Sequence, residues 1–322
     1  MAKIFPQNPR TLLKLLFSGL LITALLATSR MEGIGVALRR VPALSLLTVL
    51  IIQAAALAVN ALKWRLLLPD RSFDSLFRLG LIGKFYSLLL PGQMTGELAK
   101  AYIAGQGRDD RPNIVVSVAL DKATGLTALM ALGWAGLFLA RPAGIPTGLL
   151  HLFFGLSAAG LAAFTMVRTK WLNQQLVQRL EPRAHRPGLT GRIYGPLLKA
   201  ILAWRSYVAQ PMVLAKNFLL GLVFQLLSIL IYTLIARAMG MHDVYFTDWC
   251  WVLGVVSVAA MVPFTLSGIG AREGSLVVTL GWLGIPREVA FALALIILGL
   301  QTAAALAGLV LEWRRIKKTV RY

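Results

Sequence analysis

The chain has 322 residues, 57% of them hydrophobic and only 14% charged. A soluble domain carries about 25% charged residues, and here the apolar residues come in blocks near the roughly 20 needed to cross a hydrocarbon core, so a water-soluble fold is excluded. The net charge of +20 would suggest nucleic acid in a soluble protein, but the basic residues lie between the apolar blocks, where membrane topology accounts for them and nucleic acid is not expected.

The N-terminal segment places Lys3, Arg10 and Lys14 before or early in an apolar run that ends at Ala-Thr-Ser. The run is long for a signal peptide and reads as an uncleaved first span, 11–29. Further full spans are expected at 43–62, 113–140, 147–168, 213–237 and 288–312. The segment LKWRLLL (62–68) ends the second span, and Lys63, Trp64 and Arg65 read there as interfacial anchors. Two apolar regions are interrupted: 73–104 by Pro91-Gly92 and again by Gly96, and 246–284 by Pro263 and by Gly268 and Gly270. Proline removes a backbone donor and glycine permits a reversal. Each region therefore reads as helix, turn, helix, with pieces too short to cross comfortably. The connector 169–212 is basic, and its stretch 171–180 places Leu172, Leu176, Val177 and Leu180 on one face, as for a helix on the inner membrane surface or a solvated linker. The single cysteine, Cys250, excludes an intrachain disulfide. His151, His185 and His242 are far apart, so neither a metal nor another cofactor is expected.

With the N-terminus inside and each broken region returning to its own side, 25 of the 33 basic residues fall on the cytoplasmic side and 6 outside. Lys122 and Arg272 fall within membrane segments. This asymmetry places both termini in the cytoplasm. The expected fold is an all-α polytopic membrane protein with about six full spans and two re-entrant broken-helix hairpins. It forms one membrane domain over 1–322 in which units about 43–140 and 213–312 repeat with opposite orientation. Inverted repeats with broken helices are a transporter signature, and the breaks point to the substrate site.

Ionisable groups inside a membrane are costly and mark function. They gather at the breaks. The first carries Pro91, Gly92, Thr95, Gly96, Glu97 and Lys100; the second carries Pro263, Ser267, Gly268, Gly270, Arg272 and Glu273. Asp121 and Lys122 lie about two turns into the span 113–140. The helix restarting after each turn presents free N–H groups to an anion, and Arg272 suits phosphate. Glu97 and Glu273 are expected to pair with Arg272, Lys100 or Lys122, or to bind an amine or a coupling proton. The plainer alternatives are that Thr95 and Ser267 cap helices, that the two glutamates complement helix dipoles, and that Asp121 and Lys122 each satisfy a different neighbouring helix.

Four stretches, LKWRLLL (62–68), FYSLLLPGQMTGELAKAYI (85–103), ALDKATGL (119–126) and VPFTLSGIGAREGSLV (262–277), resemble the flippase-like membrane domain of lysylphosphatidylglycerol synthases. That family usually shows a Glu-Arg pair where this chain has Asp121-Lys122. The resemblance implies a bacterial or archaeal plasma-membrane protein that moves a phospholipid, or a polyprenyl-phosphate-linked lipid, between leaflets. Its partners would be membrane lipids with an anionic or zwitterionic headgroup, or polyprenyl phosphate. A homo-oligomer or a lipid-synthesis enzyme is left open as protein partner. The sequence ends soon after its last span, so a stand-alone member without the aminoacyl-transfer domain is expected, a transporter rather than an enzyme. Two other readings stay open. One is an integral-membrane glycosyltransferase or other lipid-modifying enzyme using Asp70, Asp74, Asp109 or Asp110. The other is a non-catalytic scaffold for envelope synthesis acting through the basic connector.

Overall fold

The computed structural model describes residues 31–90, 94–107, 110–141, 146–168, 170–186, 188–260 and 270–319. Among these residues there are twelve helices and no strand. Four helices are long and apolar enough to cross a membrane: α2 (Ala43–Leu67), α5 (Arg111–Ala140), α9 (Pro211–Ala238) and most of α12 (Arg287–Thr319). They coincide with the expected spans 43–62, 113–140, 213–237 and 288–312. The expected span 147–168 is the helix α6 (Thr147–Arg168), whereas 11–29 lies outside the described residues and precedes α1 (Met31–Arg39). Leu44, Ile51, Phe138 and Leu219 stand exposed on the long helices. In water such surfaces invite aggregation; in hydrocarbon they are the solvated face. The chain is an all-helical polytopic membrane protein.

Each broken region forms two short helices in contact with one another: α3 (Phe73–Leu89) with α4 (Thr95–Ala104), and α10 (Phe246–Ala260) with α11 (Ala271–Trp282). The local causes are legible. Ser72 caps α3 by accepting from the Ser75 N–H at 3.3 Å. Pro91 crowds the residue before it, and Leu90 ends α3 in an extended conformation at φ −97°, ψ 144°. Gly270 precedes α11 at φ +88°, where a side chain would be strained. At 1.5 Å per residue the four helices extend about 25, 15, 22 and 18 Å, each short of the roughly 30 Å hydrocarbon core.

Gly96 corrects the sequence reading. It does not interrupt the region a second time but sits in the first turn of α4, and its reason is proximity. An added Cβ would run into Ser87 Oγ and the carbonyl oxygen of Gly83 on α3. Gly96→Ala is therefore expected to pry the two helices apart and cost about 1–3 kcal/mol. Gly80→Ala, whose Cβ would meet nothing within 4 Å, is the matched control. Thermal unfolding in detergent reads both, and equal effects would contradict the close crossing.

Glycines also set the packing between regions. α3 lies along α12, where a Cβ on Gly308 would strike the Leu81 carbonyl. α10 lies along α5, where a Cβ on Gly136 would stand 2.6 Å from the Thr247 carbonyl oxygen and 2.7 Å from Cys250 Cβ. Small residues let membrane helices approach closely, with van der Waals packing supplying the attraction. α2 runs along α9. The largest apolar cluster gathers α9 to α12, with Trp249, Trp251 and Phe291 fully buried.

The connector folds as α7 (Lys170–Ala184) and α8 (Leu189–Val208), which pack on each other. The amphipathic stretch 171–180 is thus helical, and its Leu180 is buried. α8 docks on the bundle: Ala203, Trp204 and Tyr207 join Leu67, Val116, Leu120 and Leu214. Burial pushes the Tyr207 hydroxyl up to about 12, helped by Asp110 and Asp70, so it stays protonated and donates to the Leu67 carbonyl at 2.8 Å.

Candidate functional site

At the start of α4 the Thr95 hydroxyl reaches the Leu90 carbonyl at 3.4 Å, while the N-cap position belongs to Met94, so Thr95 is not the cap. One turn on, Lys100 Nζ meets Glu97 Oε2 at 2.6 Å. Lys100 is buried, and its ammonium lies 4.3 Å from the Trp64 ring centroid. A desolvated cation over an indole face is an attractive pairing. Trp64 in turn donates from Nε1 to Ser117 Oγ at 3.0 Å. These contacts tie α4 to α2 and α5.

Asp121 and Lys122 part company, because adjacent residues on a helix do not face the same way. Asp121 is buried, with Oδ1 3.2 Å from Lys63 Nζ, and Lys63 also donates to the Asp121 carbonyl. Asn217 on α9 donates to the Lys63 carbonyl at 2.8 Å and accepts from Thr124. Lys63 and Trp64 were expected to be interfacial anchors. The structure corrects this: both are about 2% exposed or less, and only Arg65 is exposed. Their polar ends find partners on α5, which a snorkelling side chain does not need.

Lys122 is half-buried and faces the other way, among the charges acting on Glu97. Charge tallying put Lys84 with the inner loop, yet it stands on α3 seven residues before Pro91. It is exposed, on a helix that packs against α4 and α12.

At the second break, Glu273 Oε2 accepts from the Gly270 N–H at 2.6 Å and its Oε1 lies 3.5 Å from Arg272 Nε. Glu273 is buried, whereas the Arg272 side chain is 20% exposed and donates to Gln301 on α12. Glu273 is thus a cap whose second oxygen lies beside Arg272. Pro91, Gly92, Pro263, Ser267 and Gly268 lie outside the described residues. Another buried carboxylate lies in the last third of α12. Glu312 receives Tyr86 Oη at 2.8 Å and two nitrogens of Arg315 at 2.8 Å each, and Arg315 also reaches Gln106.

Lys84, Lys100, Lys122 and Arg272 thus stand on four helices, with Glu97 paired to Lys100 and Glu273 beside Arg272. The model of the lysylphosphatidylglycerol synthase TM region matches residues 11–308, nearly the whole chain. The chain belongs to that family. No match was found among curated proteins or solved structures. For this lysylphosphatidylglycerol synthase TM-region protein the sequence singled out Glu97, Lys100, Asp121, Lys122, Arg272 and Glu273. It did not single out as site residues Lys63 and Gln301, which contact members of that set, Asn217, which binds the Lys63 carbonyl, or Lys84 on α3. Lys84 and Gln301 carried a signal, each a polar side chain inside an apolar helix. Lys63 and Asn217 lie near helix ends, where polarity is ordinary.

Proposed function

We propose that this protein is a lipid translocase of the bacterial or archaeal plasma membrane, with both termini in the cytoplasm. It moves a phospholipid or a polyprenyl-phosphate-linked lipid between leaflets. The observation that carries the reading is the set of ionisable side chains, Glu97, Lys100, Asp121, Lys122, Arg272 and Glu273, that α5 and the helices restarting after the two breaks carry in an otherwise apolar bundle. Placing such groups in a membrane is costly and is retained where a polar cargo passes. The headgroup passes between the breaks while the acyl chains stay in lipid.

The packing supports two re-entrant hairpins within an inverted repeat. Matching α2, α3, α4 and α5 with α9, α10, α11 and α12 carries the α3–α12 contact onto α10–α5, and the Gly308 contact onto that of Gly136. Broken helices at corresponding positions of two repeats are where transporters hold their substrates. Purified protein in proteoliposomes with fluorescent phospholipids and polyprenyl-phosphate sugars tests the proposal. Wild type is expected to translocate at least one class, and Arg272→Gln to fall to the protein-free rate while keeping its thermal stability. Undiminished transport by Arg272→Gln would remove this site from the mechanism.

A further inference from the structure

α8 carries one apolar stripe along most of its length. Ile193, Leu197, Ala200, Trp204 and Tyr207 follow one another at intervals of three and four residues, the spacing of a single helix face. The C-terminal half of the stripe is covered. Ala200, Trp204 and Tyr207 pack, with Ala203, against Leu67, Val116, Leu120 and Leu214. The N-terminal half lies open, with Ile193 64% and Leu197 45% exposed. These two are not needed to hold α7 against α8, a contact served by the buried Leu180 and Leu198. The bundle residues under the covered half belong to the end of α2 and to the first turns of α5 and α9. A stripe that leaves the bundle at the ends of three spans meets the boundary between hydrocarbon and headgroups.

The flank of this overhang is basic. Arg192 and Lys199, both exposed, are seven residues apart and therefore lie on one side of the stripe, two turns from each other. α7 adds the exposed Arg179 and Arg183, and Arg183 stands 5.7 Å from the ring centroid of Tyr194 on α8. From 170 to 208 the chain has seven basic residues and a single acid, Glu181. An apolar stripe edged by arginine and lysine fits a surface that is apolar beneath and anionic above, as a leaflet containing anionic lipid is. Nucleic acid would supply the negative charge without the apolar layer. A second copy of this chain would bring the same positive charge to the patch and be repelled.

We infer that the N-terminal half of α8 is an interfacial anchor, which inserts Ile193 and Leu197 among the lipids of one leaflet and holds anionic headgroups with Arg192 and Lys199. It concerns lipids that surround the protein, not a lipid carried through it, and so stands or falls separately from the translocase reading.

Amide hydrogen exchange of the purified full chain tests it, followed over 189–199 in nanodiscs of phosphatidylcholine alone and of phosphatidylcholine with phosphatidylglycerol. Exchange is expected to be at least about tenfold slower in the anionic discs, and the difference to shrink at high salt. The docked segment 200–207 is expected to exchange alike in both. Arg192→Gln with Lys199→Gln, at exposed positions, is expected to lose most of the difference, and Arg192→Lys with Lys199→Arg to keep it. Ile193→Ser with Leu197→Ser is expected to restore fast exchange in the anionic discs. The wild-type comparison between discs needs no variant.

Equal exchange in the two kinds of disc would overturn the inference. If fast in both, the segment is a solvated linker; if slow in both, protein covers it. Slow exchange only in discs that hold two chains would overturn it in favour of a second copy. Glutamine variants that keep the full difference would overturn the assignment to Arg192 and Lys199.

Discussion

Asp121→Ala is expected to lower stability by roughly 3–5 kcal/mol, because it leaves the Lys63 ammonium buried without its carboxylate. The side chains are 3% and 7% exposed and 3.2 Å apart. Lys63 keeps only the Asp121 main-chain carbonyl as an acceptor. The loss is expected to spread, since Asn217 binds the Lys63 carbonyl and Thr124 binds Asn217, so that α2, α5 and α9 share one polar network. Lys63→Met combined with Asp121→Leu is expected to recover most of the loss, because replacing both buried charges by apolar groups of similar size is often neutral or stabilising. The exposed pair Arg78–Asp74, 2.9 Å apart with side chains 59% and 66% exposed, provides the contrast. Asp74→Ala should change stability by only about 0.5 kcal/mol. Thermal or SDS unfolding in micelles measures all four proteins. An Asp121→Ala variant no weaker than Asp74→Ala would mean that Lys63 reaches water or lipid headgroups, as an anchor would.

The contrast between Lys63 and Leu90 explains how far the sequence could be read. Leu90 is extended because Pro91 follows it, a constraint one residue long, and the break in α3–α4 was legible for that reason. The long spans were legible because hydropathy is a property of a contiguous segment. Lys63 ends an apolar helix, and local rules make such a lysine an anchor; its partner Asp121 is 58 residues away, and no local pattern links them. Gly96 was recognised as important but for the wrong cause, since the atoms that demand a glycine belong to Ser87 and Gly83 on the neighbouring helix. Lys84 was counted with the loop before the break, although the apolar stretch FYSLLL (85–90) follows it and it stands within a helix. The Glu97–Lys100 pair was foreseeable from its one-turn spacing, whereas Arg272 and Glu273 are adjacent, and no spacing rule brings them together.

Glu273 is the position where structure and transport are most closely joined, and two substitutions are expected to separate them. Its carboxylate accepts from the Gly270 N–H and lies beside Arg272. Glu273→Ala removes both contacts. It is expected to cost about 1 kcal/mol for the lost cap and to reduce transport at least about tenfold, as an unpaired Arg272 loses its orientation. Glu273→Gln keeps an amide oxygen that can accept from Gly270, so its stability is expected to stay within about 0.5 kcal/mol of wild type. Its charge is gone, however, and Arg272 is then held by Gln301 alone. Transport by Glu273→Gln is therefore expected to fall nearly as far as by Glu273→Ala, with the fold intact. Arg272→Lys makes the complementary change, keeping the charge but losing the planar fork that engages Gln301 and phosphate together, and it too is expected to transport poorly. Full activity in Glu273→Gln with loss only in Glu273→Ala would assign the carboxylate to capping. Arg272 would then owe its placement to Gln301, and Gln301→Leu would become the more damaging change.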